Sequence, residues 1–243
     1  MTNRLPVASF NFPVEKIKAG YYTDAYFLRS AEILNGDNYH PRVLMQIFAR
    51  DNVVVCGTDE VIALIKTCAF HPENIVIHSL HDGEEVEEWE TVMTIEGDYQ
   101  DFAHLETIYL GILARQSRIA TNVRKVVKAA NGKPVLFFPA RYDIYQTQES
   151  DGYAAKIGGI NGFSTDANAL ASGGKGLGTI PHALIASYNG DTVAATSAFD
   201  KYVDPSIARI ALVDFDNDCV NTSLAVARKL GKKLAGVRLD TSG

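Results

Sequence analysis

Cysteine is scarce: Cys56, Cys68 and Cys219 are odd in number, far apart, and each set in an apolar stretch. That excludes a disulfide framework and gives no Cys-rich zinc spacing, so the three read as small buried hydrophobes. Long hydrophobic runs are absent too. No apolar stretch approaches the roughly 20 residues that span a bilayer, and Met1-Thr2-Asn3-Arg4-Leu5-Pro6 carries no apolar core of a secretory signal. The expectation is a cytoplasmic chain. Concentrated basic runs are missing as well, and 23 Lys and Arg against 29 Asp and Glu give a formal net charge of -6. Such a chain has no electrostatic footprint for a nucleic acid or an anionic membrane. Any anionic ligand must be held locally, by a few arginines, by helix N-termini or by a metal.

What is present is a chain of 243 residues, 47% hydrophobic, enough to bury one large α/β domain or two smaller ones. Tyr22 to Leu34 reads as a helix, with Thr23 as N-cap and Phe27, Ala31 and Leu34 along one face. Residues 43–48 and 53–56 read as strands, Thr58 opens a helix through Ile65, and Asn74 to His78 is a further short strand. The acidic stretch from His81 to Asp98, which contains Trp89, fits short strands joined by tight turns, a solvated hairpin. Phe102 to Ala130 is a long helical region with Leu105, Ile108, Tyr109, Ile112 and Leu113 on one face and a break near Ser117. Arg115, Arg118, Arg124 and Lys125 line its other faces. His71, His78, His81 and His104 have no carboxylates at metal-ligand spacing and read as structural.

From Lys133 the pattern changes. Val135 to Phe138 is a buried strand followed by a loop and a helix; Ile210 to Asp214 is a second strand, Asn221 to Leu230 its helix, and Ala235 to Asp240 the next strand. Strands alternating with helices imply a parallel sheet covered by helices. This half reads as the beginning of a β/α barrel; open Rossmann-like winding competes, but a Gly-rich dinucleotide fingerprint after a first strand is missing.

In a β/α barrel the reactive groups lie just past the C-terminal ends of strands. Arg141, Asp214 and Asp240 occupy that position. Each also suits a turn or a helix cap, but their recurrence after apolar strands points to function. Gly162-Phe163-Ser164-Thr165-Asp166 leads into an Ala-rich helix, where the hydroxyls and the acid serve equally as caps and as part of a phosphate-tolerant helix start. Gly173-Gly174-Lys175-Gly176-Leu177-Gly178-Thr179 is not a Walker A loop, because Lys175 is followed by Gly rather than Ser or Thr. His182 follows Pro181 in the first turn of a helix from Pro181 to Tyr188. There the helix dipole opposes its protonation and keeps a ring nitrogen available as a nucleophile.

Taken together, Asp82-Gly83-Glu84-Glu85-Val86, Leu105-Glu106-Thr107 and the run from Leu113 to Thr121 resemble the N-terminal domain and linking helix of type II phosphoribosyltransferases. The resemblance implies an α/β fold: an N-terminal α+β hammerhead-like domain with its linking helix (1–120), then a partial β/α barrel (121–243). Within that family the barrel half looks like nicotinate phosphoribosyltransferase. Thr23-Asp24-Ala25-Tyr26 resembles a Thr-Asp-x-Tyr segment whose tyrosine stacks on the pyridine bound by the neighbouring subunit, which implies a homodimer with a site completed across its interface. Phe138 and Arg141 resemble the aromatic and arginine that flank the ring and its substituent, and Thr165-Asp166 falls where a ring-side polar pair lies. Gly178-Thr179-x-x-His182 matches a Gly-Thr-x-x-His signature, and Arg238-x-Asp240 an Arg-x-Asp strand end that holds the ribosyl moiety.

The implied reaction joins nicotinate to phosphoribosyl pyrophosphate with coupled ATP hydrolysis, Mg²⁺ on the pyrophosphate and His182 as phosphoryl acceptor. Asp214 and Asp240 would stabilise positive charge on the sugar. Quinolinate and nicotinamide phosphoribosyltransferases are the enzyme alternatives: the first needs a denser basic cluster than Arg141 provides, and the second is kept open by Asp166. A non-catalytic pyridine-binding module is the alternative of another class. The last strand runs directly into Thr241-Ser242-Gly243, whereas the enzymes resembled continue through further strands, so the expectation is that part of the barrel is missing from this chain.

Overall fold

The computed structural model of the protein describes residues 4–240, in two units that meet in sequence between Gly176 and Leu177. In the first unit, helices α1 (Val14–Lys18) and α2 (Ala25–Gly36) precede strands β1 (Arg42–Phe48) and β2 (Val53–Val54). Helix α3 (Thr58–Cys68) follows, then β3 (Val76–Ser79), β4 (Glu85–Val86) and β5 (Thr91–Asp98). β5 lies between β1 and β3, antiparallel to both. Alternation explains its place: Met93 and Ile95 are buried on one face and pack with Val61, Leu64 and Ile65 of α3. Each such side chain contributes about 1.5 to 3 kcal/mol by leaving water.

The acidic stretch departs from the expected hairpin. A turn does connect β4 and β5, but β4 pairs with β2 rather than with β5. Val86 buries with Val55 and with Val92 of β5 in a small cluster of its own, so the two strands share apolar packing without pairing. The start of α2 also differs: the helix begins at Ala25 after Asp24, and the Thr23 hydroxyl donates to the carbonyl of His104 at 2.6 Å. A tertiary partner has taken the oxygen expected to cap.

After α4 (Tyr99–Phe102), helix α5 (Glu106–Ala129) runs without the break expected at Ser117. The hydroxyls that suggested an interruption face a strand. Ser117 Oγ accepts from the backbone N–H of Cys56 at 3.0 Å and Thr121 Oγ1 from that of Val54 at 2.9 Å. They satisfy donors of β2 and its continuation, which would otherwise be buried unpaired. Cys56 and Cys68 are buried free thiols, and burial raises the Cys56 thiol far above the usual range, as expected of an inert packing residue.

The unit closes with β6 (Leu136–Phe137), α6 (Gln148–Gly158), β7 (Gly162–Phe163) and α7 (Asp166–Ala169). β6 and β7 are parallel, with Phe137 opposite Phe163. β7 is too short for periodicity to disclose it. In the second unit α8 (His182–Ser187) and α9 (Thr192–Tyr202) precede β8 (Arg209–Leu212), α10 (Cys219–Leu230) and β9 (Leu234–Arg238). β8 and β9 are parallel, with Leu212 opposite Arg238 and α10 between them in sequence. No described helix is long and apolar enough to cross a membrane.

Gly152 of α6 marks the closest helix approach in the first unit: a Cβ there would lie 2.1 Å from the Asn168 carbonyl oxygen. Gly152→Ala should therefore destabilise the chain by about 2 to 3 kcal/mol, read as a lower denaturant midpoint. An unchanged midpoint would show that α6 and α7 part without cost.

Candidate active site

Five of the expected residues converge at the C-terminal ends of β8 and β9. Pro181, in extended conformation, forms the N-cap of α8 and leaves His182 as the first helical residue. Ile180 before it is buried with Ile185, Phe199 and Leu212, so the turn bearing the histidine is anchored by an apolar contact. β8 ends at Leu212 and β9 at Arg238, and these two are register partners. Asp214 and Asp240 each lie two residues past the paired ends, which brings them side by side. The backbone N–H of Asp240 donates to Asp214 Oδ2.

His182 Nε2 is 2.9 Å from Asp214 Oδ1, and Asp214 is 4% exposed against 35% for the histidine side chain. Because a carboxylate only accepts, Nε2 carries the proton of this bond, and in the neutral ring the lone pair sits on Nδ1. Nδ1 faces Asp240 Oδ2 at 3.7 Å, a charge neighbour rather than a hydrogen-bond partner. Phe215, packed on the same apolar cluster, covers the ring with centroids 6.3 Å apart and planes tilted by 30°. Arg238 donates to Thr179 Oγ1 at 2.8 Å and lies 3.6 Å from Asp240 Oδ2. Its Nε, buried, finds no partner among the described residues. The arrangement offers a nucleophilic nitrogen held in one orientation, beside a half-exposed carboxylate and a guanidinium.

The other expected residues lie in the first unit. Phe138 and Arg141 are exposed on the loop after β6. Thr165 and Asp166 follow β7, and Ser164 N–H donates to the Phe137 carbonyl, so both loops leave one pair of strand ends. Thr165 is bound locally: its hydroxyl donates to Gln148 Oε1 and accepts from Asn168 N–H as the cap of α7. Asp166 Oδ1 accepts from Gly176 N–H at 2.7 Å. Tyr26 is exposed, its hydroxyl 3.3 Å from Asp24 Oδ2. Partial desolvation, then the Asp24 carboxylate, raise its phenol pKa, so the ring stays neutral. The Thr107 hydroxyl donates to Asp24 Oδ2 at 2.8 Å, tying the segment to the start of α5.

One positioning group escaped the sequence reading. Arg115 grips buried Asp151 with two bonds, 2.9 and 2.8 Å, and also reaches Asp143 at 3.1 Å. It thereby fastens the loop that carries Arg141. In sequence Arg115 is one cation of several on an amphipathic helix, and only the bidentate geometry singles it out.

Residues 24–117 match the family model described as Quinolinate phosphoribosyl transferase, N-terminal domain. Over 96% of the chain, the structure is similar to that of nicotinate-nucleotide pyrophosphorylase from Pyrococcus furiosus, with a TM-score of 0.86 and 36% identity over 60% of that protein. In its N-terminal part and in its fold the chain resembles the type II phosphoribosyltransferases. A curated relative, the nicotinate phosphoribosyltransferase of Bacillus subtilis (strain 168), is 28% identical over 174 residues, 68% of this chain and 34% of that protein. Human nicotinic acid phosphoribosyltransferase shares the fold, with a TM-score of 0.71 and 15% identity over 91% of this chain and 61% of that one. The chain thus spans about a third of the length of the curated relatives it matches.

Asp214→Asn should release the ring of His182. Nitrogen-15 shifts of the parent are expected to report a proton on Nε2, and those of the variant a mixture of both tautomers. A parent ring protonated on Nδ1 alone would contradict the geometry.

Proposed function

We propose that the chain forms part of a nicotinate phosphoribosyltransferase that makes nicotinate mononucleotide and pyrophosphate from nicotinate and phosphoribosyl pyrophosphate, coupled to ATP hydrolysis. The observation that carries this reading is His182, its Nε2 held by buried Asp214 and its Nδ1 open beside Asp240. Quinolinate transfer has no use for such a phosphorylatable ring. The curated relative named a nicotinate phosphoribosyltransferase supports the same choice of pyridine.

In the chemistry, the pyridine nitrogen attacks C1 of the ribosyl group as the bond to pyrophosphate breaks. Positive charge builds on the sugar, and the half-exposed carboxylate of Asp240 stabilises it electrostatically. Arg238, with Thr179 fixing one arm, orients the sugar hydroxyls. Arg141 presents a planar fork to the nicotinate carboxylate, and Phe138 offers an apolar face to the ring. Tyr26 reaches the ring from a second copy of the chain, so the working assembly is a homodimer. Asp214 holds the imidazole through the cycle, and its negative charge stabilises the charged ring.

No group of three or more His, Cys, Asp or Glu converges on a metal site among the described residues. Mg²⁺ needs no such cage, being held by one or two carboxylates together with substrate phosphates and water. Asp240 is the carboxylate this chain would contribute, and the ion would neutralise charge on the departing pyrophosphate. ATP coupling runs through His182: the Nδ1 lone pair attacks the γ-phosphorus, the bond to the β–γ bridging oxygen breaks, and ADP leaves. Later hydrolysis of the phosphohistidine makes the cycle favourable.

In the complete enzyme, His182→Ala should lower ATP-stimulated formation of nicotinate mononucleotide at least tenfold and abolish acid-labile phosphate on the chain, while basal transfer persists. ATP coupling unchanged in the variant would refute the assignment. Parallel assays with nicotinamide and quinolinate test the choice of pyridine.

A further inference from the structure

A cavity of about 910 Å³ in the first unit, between α5 and the turn from β1 to β2, contains none of the residues assigned above to pyridine, sugar or phosphoryl transfer. Its volume lies in the range of small-molecule sites. Arg118, Asn122 and Lys125 line it from α5. At spacings of four and seven they share one helix face, and the two cations stand about 10 Å apart along the axis at 1.5 Å per residue. Arg50 contributes a third cation from the turn.

These three differ from their neighbours in one respect. Arg115 is paired with Asp143 and Asp151, and Arg124 and Lys128 share Glu85. Arg50, Arg118 and Lys125 are exposed and form no ion pair among the described residues. Asp51 and Glu88 also line the cavity, leaving three cations against two acids within a chain of net charge -6.

The wall next to the cations is aromatic. Phe48 lines the cavity and is 41% exposed. Trp89, 61% exposed, packs against it with ring centroids 5.3 Å apart. Trp89 is held at φ 69°, the left-handed region that bulky residues rarely enter. Such backbone strain costs about 1 to 3 kcal/mol and gathers where a ligand or a mechanism requires a fixed side chain. At Trp89 that backbone is set by the turn closed from Glu90 N–H to the Glu87 carbonyl at 3.2 Å, which fixes the indole beside a second exposed ring.

We infer that this cavity binds an aromatic phosphate of the nucleoside monophosphate kind, its flat base against Phe48 and its phosphate on Arg118, Lys125 and Arg50. A guanidinium fork matches phosphate oxygens in pairs, and an aromatic wall accepts any base by stacking. The site lies outside the proposed chemistry, so its failure leaves that reading untouched.

Trp89 is the single tryptophan of the chain, and its fluorescence reports occupancy directly. With the complete protein, AMP should quench it saturably, while adenosine and inorganic phosphate each bind at least tenfold more weakly. Arg118→Gln with Lys125→Gln should weaken AMP at least tenfold, and so should Arg50→Gln alone if the double variant does not fold. His182→Ala should leave the AMP affinity within twofold. The inference is overturned if AMP does not quench, if the cation variants bind it unchanged, or if phosphate alone binds as tightly. It is equally overturned if the double variant alters only self-association, which would make the cavity a contact between copies of the chain.

Discussion

A carboxylate taken out of water costs several kcal/mol unless donors meet its oxygens, and the arrangement of the second unit follows from how Asp214 meets that demand. One oxygen takes the His182 ring and the other the backbone N–H of Asp240. The ring is fixed because the buried charge needs it. The end of β9 is fixed in the same way, so Arg238 and Asp240 arrive in register with the histidine instead of on a free loop. Apolar Leu212 and Val213, both fully buried, hold the strand that delivers the carboxylate. Sequence order, strand register and ring orientation are therefore one constraint seen at three levels.

In the first unit helix α5 has the corresponding position. Its apolar face, with Tyr109 and Leu113, closes the main core. Its hydroxyls finish the backbone pairing of the segment from Val54 to Cys56. Its Arg115 ties down the loop after β6 through Asp143 and Asp151. A break at Ser117 would separate the second of these tasks from the other two, which is the physical reason the helix stays whole despite a hydroxyl that usually competes with helical geometry.

How much was legible in the sequence divides along the same lines. Strand ends after apolar runs pointed to Asp214 and Asp240, since a short buried strand leaves its next polar residue at the edge of the sheet, whereas Arg238 was reached only through the likeness of Arg238-x-Asp240 to a family strand end. His182 needed the added signal of Gly178, Thr179 and Pro181; a histidine at a helix start is otherwise unremarkable in kind. What stayed hidden depended on partners distant in sequence. The bond from Thr23 to His104, the pairing of β4 with β2, and the grip of Arg115 on Asp151 each join residues that local patterns cannot relate. Helix α9 was missed although its signals were local: Asn189 and Gly190 take positive φ and Asp191 caps the helix. There the turn chemistry was present and was not read.

The loops after β6 and β7 show how hydrogen bonding sorts candidates that sequence position cannot. Thr165 and Asp166 occupy strand-end positions as good as that of Arg141, yet each already makes a local hydrogen bond. Thr165 caps α7, and Asp166 closes the glycine-rich turn through Gly176. A side chain that must give up a structural bond to meet a ligand discriminates poorly, because the cost of the lost bond offsets the new one. Arg141 and Phe138 are exposed at the same edge, and Arg141 supplies a cation. One oxygen of the acid is thus committed to the glycine-rich turn, while Arg141 presents a cation suited to a carboxylate. That contrast agrees with the nicotinate carboxylate proposed as the ring substituent, the ring-side placing of both residues being what the family resemblance implies.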